Sequence, residues 1–229
     1  MRYRICLHGG RGASSSYGGD KNTAGDDRPV KFYDKTDKYQ GMSMHEFENA
    51  VRDKTVEYIG IFDGDGNLIV AGTSNNPHKV AIPSNHPRFQ EAVTLTHNHP
   101  YKPADDPSRT IGASFSEADV RNHVLFGFKG ETRAVSNGPN ENTYIFRAKS
   151  GATQNRSDML TYAREFQPKF DSAATTTLNA VNKRLATQGK TLTVGQKSQV
   201  MLGAAKRVWK SHVVEKAGYE YIEVKKAHW

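Results

Sequence analysis

An α+β body followed by a helical, basic tail is the fold the sequence predicts, and three observations carry that prediction. β-forming runs flank a Gly/Asp-rich turn within 56–71, capping-box spacings stand at Ser43, Ser116 and Thr193, and beyond Ser150 the apolar spacing becomes almost wholly helical. Ahead of the body, residues 9–29 (GGRGASSSYGGDKNTAGDDRP) hold almost no apolar side chains. Such a stretch cannot offset the entropy of its own ordering, so 1–29 is expected to be a flexible Gly/Ser-rich arm.

The elements follow in order. Ser43 and Glu46 have the capping-box spacing, and Met44, Phe47 and Val51 then share one helical face, with an end near Lys54. Strands at 56–62 and 68–71 form a hairpin about Asp63-Gly64-Asp65-Gly66-Asn67. That turn alternates oxygen ligands as a calcium loop does, but Leu68 replaces the glycine such a loop needs and Ser74 its terminal Glu, so it is read as a turn. Val80-Ala81-Ile82 is a short strand, 89–92 a short helical piece, and 93–96 a strand that delivers His97-Asn98-His99-Pro100. A loop over 101–114, with prolines at 103 and 107, leads to a helix from Ser116 to about Phe126. Two strands, 131–135 and 143–147, flank the turn Asn137-Gly138-Pro139-Asn140. Helices at about 156–167, 171–187 and 194–217, then a short strand at 219–224, complete the chain.

Composition excludes several classes. With 36% hydrophobic residues over 229 positions the chain can build one core of average size plus an appendage, and it is too apolar to be wholly disordered. No apolar stretch approaches the roughly 20 residues of a membrane helix, and MRYRICLHGG does not read as a secretory signal, so no membrane partner is expected. The single cysteine, Cys6, rules out an internal disulfide and a cysteine-based zinc cluster, and it reads as a packed residue. Any metal must be held by His and carboxylate. Charge is uneven: 151–229 carry 13 basic and 6 acidic side chains, whereas 1–150 carry 19 and 18. In the tail Lys206, Arg207 and Lys210 surround Trp209, and Lys225 and Lys226 precede His228-Trp229. This pattern suits a phosphate backbone with base stacking, or equally a solvated helix face whose tryptophan is anchored in the core.

The chemistry concentrates at His97-x-His99-Pro100. Residues i and i+2 of a strand project to one side, so both imidazoles can reach one ion; the same pattern also reads as a polar strand end. Two His with one carboxylate leave an open, catalytic zinc geometry, and Asp119, in the first turn of its helix, is the carboxylate candidate. Ser116-x-x-Asp119 equally reads as a helix cap, and Glu57 as a surface strand carboxylate. His123, four residues after Asp119, reads as a solvated or partly packed helix histidine, with a ligand or supporting role as the alternative.

In this order (Glu57 opening EYIGIFDGDGNLI, a strand ending in HNHP, then Ser-x-x-Asp) the segment 40–150 resembles the JAB/MPN (JAMM) metalloenzymes, most of all the bacterial RadC-type branch. The resemblance implies a central mixed β-sheet flanked by helices, cytidine-deaminase-like, in a domain at 30–150, with 151–229 as a helical basic extension. It implies one Zn2+ held by His97, His99 and Asp119, with Glu57 as general base and Ser116 helping to stabilise the oxyanion. The implied reaction is hydrolysis of a peptide or isopeptide bond in a protein substrate by metal-activated water. The family places its Ser-x-x-Asp close after His-x-His-Pro, whereas here Asp119 stands twenty positions beyond His99; Ser108 lies nearer, but Thr110 and Ile111 occupy the places an aspartate would need. The inserted loop is expected to serve as a substrate flap. The resemblance also implies a bacterial or phage-associated, cytoplasmic protein, and the GGRGASSS arm resembles linkers of phage head-associated proteins. The alternative reading is a non-catalytic JAB-like scaffold in a phage or nucleoprotein assembly, with the basic tail binding nucleic acid or another subunit; a zinc nuclease is a third.

Overall fold

The computed structural model of the protein describes residues 6–8, 31–100, 114–137 and 142–226. The expected arm at 9–29, the flap at 101–113, the tip of the turn at 138–141 and the His228-Trp229 pair lie outside the described residues. The strands are β1 (Cys6–His8), β2 (Tyr33–Asp34), β3 (Tyr58–Phe62), β4 (Leu68–Thr73), β5 (Lys79–Ala81), β6 (Thr94–His99), β7 (Glu131–Ser136), β8 (Thr143–Ala148) and β9 (Tyr219–Val224). The helices are α1 (Thr36–Tyr39), α2 (Met44–Arg52), α3 (Glu117–Phe126), α4 (Arg156–Arg164), α5 (Phe166–Ala186) and α6 (Val194–Arg207), and Phe89–Glu91 forms a 3-10 turn. After α6 the chain stays helical but widens to a π-helix over Val208–Val214 and closes in a 3-10 turn at Glu215–Ala217.

Seven strands form one mixed sheet in the order β2-β4-β3-β6-β7-β8-β9, while β1 and β5 pair separately. Every pair in the large sheet is antiparallel except β6 and β7. Parallel neighbours require a crossover, and the segment that carries α3 supplies it. The chain is thus α+β with a seven-stranded mixed sheet flanked by helices. The first strands β1 and β2 and the short α1 were not legible in the sequence.

The two sheet faces are covered by different helices. α2 begins with the predicted capping box: Ser43 Oγ accepts from the Glu46 N–H, and the Glu46 carboxylate accepts from the Ser43 N–H. Its apolar face places Phe47 and Val51 on Tyr39, Phe62, Leu68 and Ala71. Gly60 of β3 faces this helix, and a Cβ there would lie 2.6 Å from the Phe47 ring, so the close approach of helix to sheet requires glycine. On the opposite face Ile59, Ile61 and Leu95 alternate inward with Phe89 and Phe128, as strand periodicity dictates. Each such side chain contributes about 1.5–3 kcal/mol on burial.

The expected boundary at 150 falls between β8 and α4, and the hydrophobic core crosses it. Phe115, Val120, Tyr144 and Phe146 share one cluster with Met159, Phe170, Val213 and Tyr221. β9 is hydrogen-bonded to β8 from Thr143↔Val224 to Ala148↔Tyr219, so the last strand of the tail is the edge strand of the body's sheet. Trp209 is buried and stacks on Phe166 with ring centroids 4.3 Å apart, and Phe166 stacks on Phe170. The tryptophan is therefore a core residue, not a stacking platform. Its basic neighbours are engaged too: Lys206 pairs with Glu223 at 2.9 Å, Lys210 lies 3.8 Å from Glu215, and Arg207 donates to Thr177. Among the described residues no helix is long and apolar enough to cross a membrane.

Candidate metal centre

β6 is buried along its whole length, between β3 and β7 at the middle of the sheet. Because side chains alternate, Thr96 faces α2, where its hydroxyl donates to Glu48, while His97 and His99 face the other side. His97 stands opposite Ile59 of β3 and Ala134 of β7, and His99 opposite Ser136. The parallel crossover then returns the N-terminus of α3 to the carboxyl end of β6. There Ser116 caps the helix with its side chain and Asp119 closes a capping box.

Three side chains remote or alternate in sequence meet at this point. His97 Nε2 lies 2.8 Å from His99 Nε2 and 3.0 Å from Asp119 Oδ1, and His99 Nε2 lies 3.7 Å from Asp119 Oδ2. All three residues are buried, with exposures of 0%, 3% and 0%. The single Nε2 proton of a neutral imidazole cannot serve both approaches to His97 Nε2 and the His99–carboxylate approach as well. A cation among the donors would be attracted by all of them. Tetrahedral ligand bonds of about 2.0–2.1 Å set neighbouring donors roughly 3.3 Å apart, close to the three separations seen. The group could hold a metal ion.

The carboxylate is prepared for that role. Burial pushes the Asp119 pKa up, but the charges of His97 and His99 and the Ser116 backbone N–H prevail and hold it below the ordinary carboxylate value. Asp119 Oδ2 accepts the Ser116 N–H at 2.6 Å and the Ser116 hydroxyl at 2.9 Å. Ser116 is thus tied to Asp119 in this structure, and its one hydroxyl proton is committed there.

Glu57 precedes β3 and is fully buried, not a surface carboxylate. Its N–H donates to the Asn76 carbonyl and its own carbonyl accepts from Thr73 Oγ1 at 2.6 Å. It lies two residues before Ile59, whose pairing with His97 ends the β3–β6 ladder, and it is not among the three converging donors.

A residue that sequence reasoning passed over holds this arrangement. Asn98, between the two histidines and fully buried, accepts the Tyr58 N–H at 2.6 Å and donates to the Val56 carbonyl at 3.1 Å. Its carboxamide replaces the ladder bonds that β6 and the start of β3 do not make, and it pins the backbone on both sides of Glu57. The one signal in the sequence was a buried-strand position filled by an amide rather than an apolar residue.

His123 is not a solvated histidine: it is buried, its Nδ1 lies 3.0 Å from Thr132 Oγ1, and its ring packs edge-on against Phe146 and Tyr219. It stands apart from the converging donors. Burial, assisted by the charge of Arg156, pushes its pKa down from 6.5 to about 4. The unfolded chain therefore takes up this proton first as pH falls, so the neutral ring's contribution is complete above pH 6.5 and is lost toward pH 4. Across that window the loss is expected to reach about 3 kcal/mol. His123→Asn, which can keep a bond to Thr132, is expected to flatten that part of the pH dependence. Urea unfolding of both proteins at several pH values checks it, and parallel curves would refute it.

Compared with family models, curated proteins and solved structures, the chain matches none significantly.

Proposed function

We propose that the protein is a metal-dependent hydrolase of the JAB/MPN type, acting on a peptide or isopeptide bond in a protein substrate with one zinc ion. The observation that carries this reading is the convergence of His97, His99 and Asp119, buried together at the carboxyl end of a central strand. The mixed sheet flanked by helices is compatible with that family. Two imidazoles and a carboxylate are the donor set of an open zinc site, and the bound ion would supply Lewis acidity toward the scissile carbonyl.

The chain's own residues would do the rest. Glu57 would accept a proton from the attacking water as its oxygen adds to the carbonyl carbon, and then pass that proton to the amine nitrogen as the C–N bond breaks. Asn98 would keep the Glu57 backbone in place through the bonds on either side of it. Ser116 would have to turn its hydroxyl away from Asp119 Oδ2 to reach an oxyanion, so holding the ligand is its resting role. The cytoplasmic setting and the phage or bacterial association belong to the same proposal.

The test begins with metal content after purification without added metal. About one equivalent of zinc is expected in the wild type and none in the His97→Ala/His99→Ala variant. A zinc-loaded protein should then cleave an isopeptide-linked conjugate or unfolded peptide, and Glu57→Gln should keep zinc while losing turnover. A folded wild type that takes up no metal, even when zinc is supplied, sinks the reading.

A further inference from the structure

The positive charge of the tail is not where the sequence pattern first places it. Lys206, Arg207 and Lys210 have partners within the protein, and Trp209 is in the core. Arg164, Lys169, Lys225 and Lys226 are exposed too but have Glu165, Asp171 or Glu223 within a few positions in sequence, which leaves the hairpin of α5 and α6 as the exposed basic stretch without acids. No side chain from Thr175 to Lys197 is buried, because α5 docks through its first half, at Phe166, Phe170 and Ala174. α6 regains buried contacts only from Ser198 onward. The end of α5 is closed by a left-handed glycine: Gly189 takes φ +64°, and the Lys190 N–H returns to the Leu185 carbonyl at 3.0 Å.

This exposed hairpin carries cations and no anions. Between Asp171 and Glu215 the chain has not one acidic residue in 43 positions. With 24 acids in 229 residues, such a window should hold four or five. Solvated helix faces ordinarily intersperse both signs. Lys183, Arg184, Lys190 and Lys197 are all exposed, and among the described residues no carboxylate pairs with any of them. An unneutralised cluster of this kind repels itself and is stabilised only by a polyanion or by salt.

The other side chains narrow the partner. From Asp171 to Val208 there is no aromatic residue, so the hairpin offers no surface on which unpaired bases could stack. It is rich instead in Thr, Asn and Gln (Thr175, Thr176, Asn179, Asn182, Thr187 and Gln188 among them), which donate to phosphate oxygens. Only one of the four tip cations is an arginine, the side chain that reads base edges as a fork. We infer that the α5–α6 hairpin is a docking surface for the phosphate backbone of double-stranded DNA, bound without regard to sequence. This inference stands independently of the metal centre.

The experiment is fluorescence anisotropy of the full chain with a labelled random-sequence duplex at several salt concentrations. Contacts from three to four cations give a slope of log affinity against log salt of about −3, a loss of roughly 60-fold between 50 and 200 mM. Replacing Lys183, Arg184, Lys190 and Lys197 together by Gln is expected to weaken binding at low salt at least about tenfold and to bring the slope toward zero. Because all four side chains are exposed and their mutual repulsion is removed, circular dichroism should stay unchanged and the melting temperature should not fall. The inference is overturned if the duplex does not bind, if the quadruple variant binds equally well, or if single-stranded DNA of equal charge binds tighter. Tighter binding of polyglutamate than of the duplex also overturns it, and would indicate an acidic protein partner.

Discussion

Replacing Asp119 with alanine is expected to abolish zinc binding and, separately, to weaken the metal-free fold. The residue does two jobs at once: it converges on His97 and His99, and it closes the capping box with Ser116. Loss of its buried hydrogen bonds should cost about 1–3 kcal/mol without metal. On the proposed reading, zinc at 100 times its dissociation constant is expected to add about 2.7 kcal/mol to the wild type, a rise in Tm of about 5–10 °C for a chain of this length. Asp119→Ala should show no such rise. Two further variants separate the roles. Ser116→Ala removes the cap and the hydroxyl bond to the Asp119 carboxylate but leaves the ligand itself, so it costs about 1 kcal/mol and should keep a zinc-induced rise at an affinity about 10–100-fold weaker. Asp119→Asn keeps an acceptor for the Ser116 N–H but is a poor ligand, so it should fold well and bind zinc more than about 100-fold more weakly, beyond the 10–100-fold effect of losing a supporting residue. Thermal melts with and without zinc decide the matter, and equal zinc-induced rises in the wild type and Asp119→Ala would refute the ligand role.

On the opposite face of β6 and β7, breaking the Glu48–Arg133 pair is expected to have an effect of similar size on stability alone. Arg133 donates to both Glu48 oxygens, at 2.5 and 3.1 Å, while Glu48 also accepts from Thr96. Burial works against the Arg133 charge, but Glu48 and Glu131 outweigh it and hold its pKa above the usual arginine value. Arg133→Met would leave the Glu48 carboxylate buried with Thr96 alone as its side-chain donor in this group, and should cost about 3–5 kcal/mol. The double variant Glu48→Leu/Arg133→Met removes both charges and should recover most of that loss. The coupling energy from such a cycle, measured by urea unfolding, is expected to exceed about 2 kcal/mol. A single variant that costs less than about 1 kcal/mol would show that the pair contributes little. Zinc uptake should survive in every variant that folds, because the pair lies across the sheet from the histidines.

The elements that were legible in the sequence are those set by short-range geometry. All three capping boxes, at Ser43, Ser116 and Thr193, are formed. Asp63-Gly64-Asp65-Gly66-Asn67 is a turn held by the Asp63 carboxylate, which accepts the Asp65 and Asn67 N–H groups. The strand at 219–224 is present to the residue. Other features depended on distant partners. The burial of His123 is set by partners remote in sequence, since the rings that pack on it come from β8 and β9. Asn98 finds its partners at Val56 and Tyr58, forty residues earlier, and no local pattern marks them.

By itself, the sequence determined the period of most elements beyond α1, the capping boxes at Ser43, Ser116 and Thr193 and the shared side of His97 and His99, because these follow from backbone geometry over one or two turns. It also determined that the stretch between Asp171 and Glu215 holds no acid. The tertiary structure decided which distant residues meet: Asp119 reaching the two histidines, β9 completing the sheet, and Trp209 entering the core while the α5–α6 tip stays outside. Those meetings arise from burial and strand pairing across long loops, and the same local patterns are compatible with many such pairings until one core is packed.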